Sequence, residues 1–364
     1  MEGKYRSILG MALVAAVWLG LAVAAWCCPA TDYSMTERRE LAALPEVRAQ
    51  SLLSGQFMSD FESYTLDQFP FREGFRQLKA RFHYGVLCQL DNNGIYLAQG
   101  HAAKLEYPLK EDSVEHALTV FQRIRDRYLE NCRVFCTVVP DKGYYLAEEL
   151  GYPAMDYEKL FQDISDGMPY ARYIDLSDSL TIDSYYRTDT HWRQEALLPA
   201  VYKLCDAMGI PKPEGLLAVS ESRPFYGVYY GQAALPMEAD VLYTTHSELL
   251  ENCRVYNYET GQYSGIYDQE KLAGADLYEV FLSGSVSLLR IENPMAETDR
   301  ELIIFRDSFG SSIAPLLVQG YKTVTLVDIR YLSSAMLGRF LDFQNQDVLF
   351  LYSSLVLNNS NTLQ

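Results

Sequence analysis

Residues 302–327, LIIFRDSFGSSIAPLLVQGYKTVTLV, decide the fold. Leu302–Phe305 is a short apolar run that reads as a strand, Ile313–Val318 lies in a helix stopped by Gly320, and Thr323–Val327 is a second strand. The pattern then repeats, with a helix over Met336–Phe340 and a last strand over Val348–Tyr352. Strands alternating with helices at this spacing predict an α/β domain in three layers, a parallel sheet with helices on both faces. Arg133–Val139, stopped by Pro140, reads as another buried strand able to join that sheet. Further upstream the apolar residues take helical spacing. Phe57, Phe61 and Tyr64 mark one helix up to Pro70, Phe71, Phe75, Leu78 and Phe82 share one face of the next, and Val114, Leu118, Phe121 and Tyr128 mark a third. Between the last two, Asn92-Asn93-Gly94 is a turn before extended Ile95–Leu97.

The N-terminus bears on compartment. Lys4 and Arg6 precede an uncharged run from Ile8 to Cys28, and about 20 apolar residues suffice to span a bilayer as a helix. Basic residues ahead of the run place the short tail in the cytoplasm and the remainder outside. A cleaved signal peptide is the rival reading, with Ala22-Val23-Ala24 as the cleavage site. The run is long for a signal, which favours an uncleaved anchor, and both readings export the domain. The expected layout is a tail and transmembrane anchor or signal over 1–28, a stalk or arm over 29–55, and the main α/β domain over 56–364 with a tyrosine-rich insertion at about 212–290.

With 364 residues, 49% of them hydrophobic, the chain can bury a full core. Its net charge of -17 excludes nucleic acid as a partner, because phosphate affinity needs clustered Lys and Arg. Beyond the apolar run there are five cysteines without a CxxC pair, so neither a disulfide framework nor a metal site is expected, and no cofactor motif occurs.

Two clusters carry chemistry. Arg306-Asp307-Ser308-Phe309-Gly310 leaves the end of the 302–305 strand and opens a helix. Ligands of open α/β sheets bind beyond the carboxyl ends of the strands, and a serine on a strand–turn–helix bend can act as a nucleophile with helix N–H groups stabilising an oxyanion. An Asp-Ser pair there is equally an ordinary helix cap. The second cluster is Tyr185-Tyr186-Arg187-Thr188-Asp189-Thr190-His191-Trp192, ahead of a helix with apolar positions 192, 196, 197, 200, 201 and 204. A carboxylate two residues before an imidazole can accept from Nδ1 and leave Nε2 free as a base. The bland alternative makes Asp189 a helix cap and packs His191 on Trp192. The other four histidines, His83, His101, His116 and His246, have no such neighbour.

Seven blocks, in order, resemble the DHHW family and the related alginate O-acetylation proteins. They are SGQFMSDFESYTLDQFPFRE (54–73), NNGIYL (92–97), VVPDK (138–142), YYRTDTHW (185–192), DLYEVFLSGSVSLLRIEN (276–293), RDSFGSSIAPLL (306–317) and VDIRYL (327–332). The resemblance implies an SGNH-hydrolase-like catalytic domain, with Asp189 and His191 matching the D-x-H-W element and Ser308 matching the serine of the later block. Thr190 stands where the family name expects a second histidine, as in the alginate group, and Ser308 follows the Asp/His pair rather than preceding it. Phe309, Gly284, Ser285, Arg187 and Arg306 are the residues considered for oxyanion or substrate contact.

The function so implied is serine-dependent acyl transfer outside the cytoplasm, O-acetylation of a cell-envelope polysaccharide or glycan, with a membrane acyl-donor protein as partner by analogy. A carbohydrate esterase needs the same residues. A glycan-binding or envelope-assembly protein without activity is the third reading. The crowd of tyrosines from Tyr226 to Tyr278 bears on it, since tyrosines stack on sugars but are also ordinary strand residues.

Overall fold

β-Branched and aromatic runs with both faces apolar build the centre of the molecule. In the computed structural model, which describes residues 2–364, eight strands form one sheet. They are β1 Arg133–Val139, β2 Ala171–Tyr173, β3 Arg254–Asn257, β4 Gln262–Ser264, β5 Leu288–Glu292, β6 Glu301–Arg306, β7 Thr323–Val327 and β8 Asp347–Ser353. Their spatial order is β4-β3-β5-β7-β6-β8-β1-β2. The five from β7 to β2 run parallel, so the four apolar runs read from the sequence lie side by side. β5, β3 and β4 add antiparallel strands beyond β7, supplied mostly by the tyrosine-rich region. Parallel strands need both faces covered, which is why their sequences are continuously apolar.

Helices complete the layers. In the N-terminal part these are α1 Glu2–Cys27, α2 Ala49–Ser54, α3 Gln56–Asp67 and α4 Arg72–Gly85. Around the sheet are α5 Glu111–Tyr128, α6 Lys142–Leu150, α7 Tyr157–Gly167, α8 Leu198–Met208, α9 Val228–Ala233 and α10 Gly310–Leu317. Strand side chains alternate between two cores. Phe135, Leu302, Ile304, Leu326 and Leu349 pack with Val201 and Leu204 of α8 and with Ile313 and Leu316 of α10. Val134, Ile303, Phe305, Val348 and Phe350 pack with Val114, Phe121 and Ile124 of α5 and with Leu160 and Ile164 of α7.

Two expected helices differ. Met336–Phe340 forms a 3-10 turn, Ser334–Arg339. The helix expected from Trp192 begins only at Leu198, because Pro199 in its first turn has no N–H to give to an earlier carbonyl. Trp192 instead bridges Tyr185 in antiparallel fashion.

The chain divides into two compact units, one running to Asn92 and including Ala234–Pro236, the other made of Asn93–Ala233 and Met237–Gln364. Residues 56–92, expected with the main α/β domain, therefore group with the N-terminal unit. In that unit Lys4–Cys27 is a helix of mean hydropathy 2.4 with none of its apolar window buried, long and apolar enough to cross a membrane. The segment after it is strapped to the α3–α4 junction. Thr31 N–H donates to Gln68 Oε1 at 3.0 Å, Gln68 Nε2 donates back to Thr31 O at 2.9 Å, and Arg39 pairs with Asp67.

Candidate active site

β6 ends at Arg306 and α10 begins at Gly310, leaving Asp307-Ser308-Phe309 as a tight bend at the carboxyl end of the sheet. Asp307 holds the bend. Its Oδ1 accepts from Phe309 N–H at 3.0 Å, and its Oδ2 accepts from Ser353 N–H at 2.7 Å at the end of β8. Arg306 turns away, buried, donating to Val286 O at 3.1 Å and Asp307 O at 3.3 Å, with Asp328 at 3.8 Å. Burial lowers its affinity for the proton, and Asp328 opposes that. Gly310 has to be glycine, since a Cβ there would lie 2.6 Å from Arg306 Cβ. From Leu302 to Val318 every residue is buried except Ser308.

Ser308 does not cap α10. Its Oγ lies 2.8 Å from His191 Nε2, 117 residues away in the chain. His191 Nδ1 lies 2.6 Å from Asp189 Oδ1, which also accepts His191 N–H at 3.1 Å. Asp189 does not cap α8, the helix that follows it in the chain. Its Oδ2 accepts Val228 N–H from the start of α9 at 2.8 Å, and the carboxylate is fully buried. With a carboxylate on Nδ1, the favoured tautomer carries its proton there and turns the Nε2 lone pair to the serine.

Further groups hold this arrangement. Tyr278 stacks on His191, centroids 3.8 Å apart and planes 8° apart, and its hydroxyl lies 2.7 Å from Ser312 Oγ on α10. Trp192 Nε1 donates to the same Ser312 oxygen at 2.8 Å. Gly227 packs directly on Asp189, where a Cβ would come within 2.2 Å of Asp189 Cβ. Asp240 accepts from the backbone N–H groups of Arg187 and Thr188, each at 2.8 Å, and so sets the loop that leads into Asp189. Beneath the loop, Lys142 of the VVPDK block is buried and donates to Tyr186 O at 2.9 Å and Arg187 O at 3.3 Å. Burial pushes its ammonium down to about 7, opposed by Asp189, Asp240 and Asp141. Trp192 directly follows His191 in the D-x-H-W element, and Ser312 lies four residues past Ser308; the others stand at no telling spacing from either. Block membership covered Trp192, Ser312, Lys142 and Tyr278, but neither Gly227 nor Asp240.

The remaining expected residues fare differently. The Phe309 N–H, read as an oxyanion donor, is taken by Asp307, while its ring packs against His191 and Trp192. The Ser308 N–H takes no partner among the described residues and is the donor left at the bend. Gly284 is a turn glycine at φ +82° packed on Glu279, and Ser285 is exposed; no described contact ties either to Ser308. Arg187 shares a cavity of about 240 Å³ with His101, Asp183 and Arg193, lined by neither Asp189 nor Ser308. Thr190 turns to Tyr229, whose hydroxyl donates to it at 3.0 Å.

Among solved structures, the fold is similar to that of a DHHW family protein from Eubacterium siraeum. That match has a TM-score of 0.61 and 21% identity, over 75% of this chain and 94% of the other. It is also similar to Bacillus cereus PatB1 carrying a sulfonyl adduct, at TM-score 0.55 and 15% identity over 74% and 95% of the two chains. No protein-family model matches the sequence, and no curated protein does. The resemblance read from the sequence blocks thus has its counterpart in a shared α/β fold.

Proposed function

We propose that this chain is a serine-dependent acyltransferase working outside the cytoplasm, with Ser308 as nucleophile, His191 as general base and acid, and Asp189 as the group that orients and charge-stabilises the imidazole. The observation that carries the reading is the unbroken hydrogen-bonded line from Ser308 Oγ through His191 to Asp189. Ser308 Oγ attacks the carbonyl carbon of an acyl ester as His191 Nε2 takes its proton. The tetrahedral oxyanion is met by the Ser308 N–H. Collapse breaks the ester C–O bond, and His191 returns the proton to the departing alcohol. A second hydroxyl, deprotonated by His191, then takes the acyl group and frees the serine. Blocks resembling the alginate O-acetylation proteins make acetyl the acyl group and a cell-envelope glycan hydroxyl the acceptor. The apolar helix Lys4–Cys27, preceded by basic residues, supports a single-pass anchor with the catalytic unit outside, facing a donor in the same membrane.

The test is release of acetyl from a small activated ester by the purified protein, with labelling by a sulfonyl fluoride mapped to Ser308. Ser308→Ala, His191→Ala and the double variant should be equally inactive, because the pair acts as a unit. Asp189→Asn should lose on the order of 10⁴ in turnover. Adding glycan oligosaccharides separates transfer from hydrolysis: acetyl on the sugar supports a transferase, acetate alone an esterase. A correctly folded wild type with neither turnover nor labelling would leave a glycan-binding protein as the reading.

A further inference from the structure

The α4 helix carries an apolar stripe that its own unit leaves largely uncovered, with Phe75 packing edge-on against Phe69. Phe71, Phe75, Leu78, Phe82 and Val86 are 75%, 42%, 62%, 50% and 65% exposed. At 3.6 residues per turn Phe75, Leu78 and Phe82 fall on one face and Val86, the C-cap, continues it, while Phe71 immediately precedes the helix with left-handed backbone. Ala80, the buried residue of α4, lies on the opposite face. Water is a poor partner for so large a contiguous apolar surface.

Two further features say what covers it. The first is position. Thr31, four residues beyond the end of α1, is bonded both ways to Gln68, three residues before Phe71. At roughly 3.5 Å per extended residue, Thr31 lies within about 14 Å of Cys27. Arg72 and Arg76 bond to Glu37 on the same strap, so the start of α4 is held close to where the apolar helix ends. The second is charge. In a chain of net charge -17, α4 has four basic residues and one acidic. Lys79 and Arg81 flank the stripe on its two sides and form no ion pair among the described residues. Long basic side chains beside an apolar stripe reach headgroup phosphates while the rings enter the acyl boundary.

We propose that α4 is an interfacial helix that lies on the outer leaflet of the membrane its own chain spans, with anionic phospholipid headgroups as its ligand. The proposal rests on the reading of α1 as a membrane span. Its consequence is that the first unit is fixed to the bilayer at two places, through α1 and along α4.

The test uses the full chain with Cys27, Cys28 and Cys88 changed to Ser, reconstituted in vesicles of phosphatidylcholine and phosphatidylglycerol. A bimane is placed on Leu78→Cys, or on Gln77→Cys as the control off the stripe. Lipids brominated high on the acyl chain should cause about a twofold loss of fluorescence at 78 and little at 77, because an interfacial helix sits roughly 5–10 Å into the boundary. Adding Lys79→Glu and Arg81→Glu, or omitting phosphatidylglycerol, should reduce that loss. Quenching at 78 by aqueous iodide instead, or by neither agent, overturns the proposal in favour of solvent or of a protein surface. Carbonate-resistant flotation of each sample reports the span separately. Flotation without quenching defeats the interfacial helix alone, and failure to float defeats both.

Discussion

Gly227→Ala changes one methyl group, and the structure says where it goes. The added Cβ would lie 2.2 Å from Asp189 Cβ, 2.4 Å from its Cα and 2.5 Å from its N. An ordinary approach is 3.4 Å or more, so the two segments must part by at least 1.2 Å (3.4 less 2.2), and because two of the atoms are backbone no rotamer change relieves the clash. The same displacement stretches Val228 N–H to Asp189 Oδ2 from 2.8 Å towards about 4 Å, beyond hydrogen-bond length. Losing a bond to a charged acceptor costs about 1.5–3 kcal/mol of stability. A carboxylate displaced by about 1 Å no longer holds His191 in line, a misplacement worth about 10²-fold in rate. Expected, then, are a kcat/KM on an activated acetyl ester down about 100-fold, slower sulfonyl labelling of Ser308, and a urea midpoint lowered by that stability loss. Wild-type turnover in a folded Gly227→Ala protein would refute the reasoning, because Asp189 would then not be the group that orients His191.

Other substitutions probe the same frame. Tyr278→Phe keeps the ring on His191 and loses only the bond to Ser312, so activity should stay within a few-fold; Tyr278→Ala removes the stack and should destabilise by about 3–5 kcal/mol with a large rate loss, both read by urea unfolding and ester turnover. Asp307→Ala frees two backbone N–H groups at the bend and should cost about 3–6 kcal/mol, measured by chemical denaturation. Lys142 is held down to about 7 in the fold against 10.5 in the unfolded chain. Between those pH values the unfolded state keeps a proton that the folded state has shed, so this group makes stability rise with pH across that window. Lys142→Met should abolish the rise, seen as a smaller stability difference between pH 7 and pH 9; equal slopes in both proteins would mean that the buried ammonium stays charged.

Local pattern alone determined the α/β class. Runs such as Leu302–Phe305 and Val348–Tyr352 are apolar on both faces because each strand is covered on both, and that signature is contained in a few consecutive residues. The edge strands over 254–264 escaped it because they are short and half-exposed, with no continuous apolar run. Residue type and spacing also singled out Asp189 with His191, and Ser308 after a strand, but left each open to a capping role. That choice belonged to tertiary structure, since a cap is satisfied within a turn whereas the bond of Ser308 Oγ to His191 spans 117 residues. The same holds for Tyr278, Gly227 and Val228, which reach the site only because the tyrosine-rich region folds back over the sheet's carboxyl end, and for Phe309, whose N–H goes to Asp307 instead of facing a substrate. Sequence spacing reports neighbours along a strand or helix; which side chains meet across the sheet is decided by how the layers pack, and packing has no local signature.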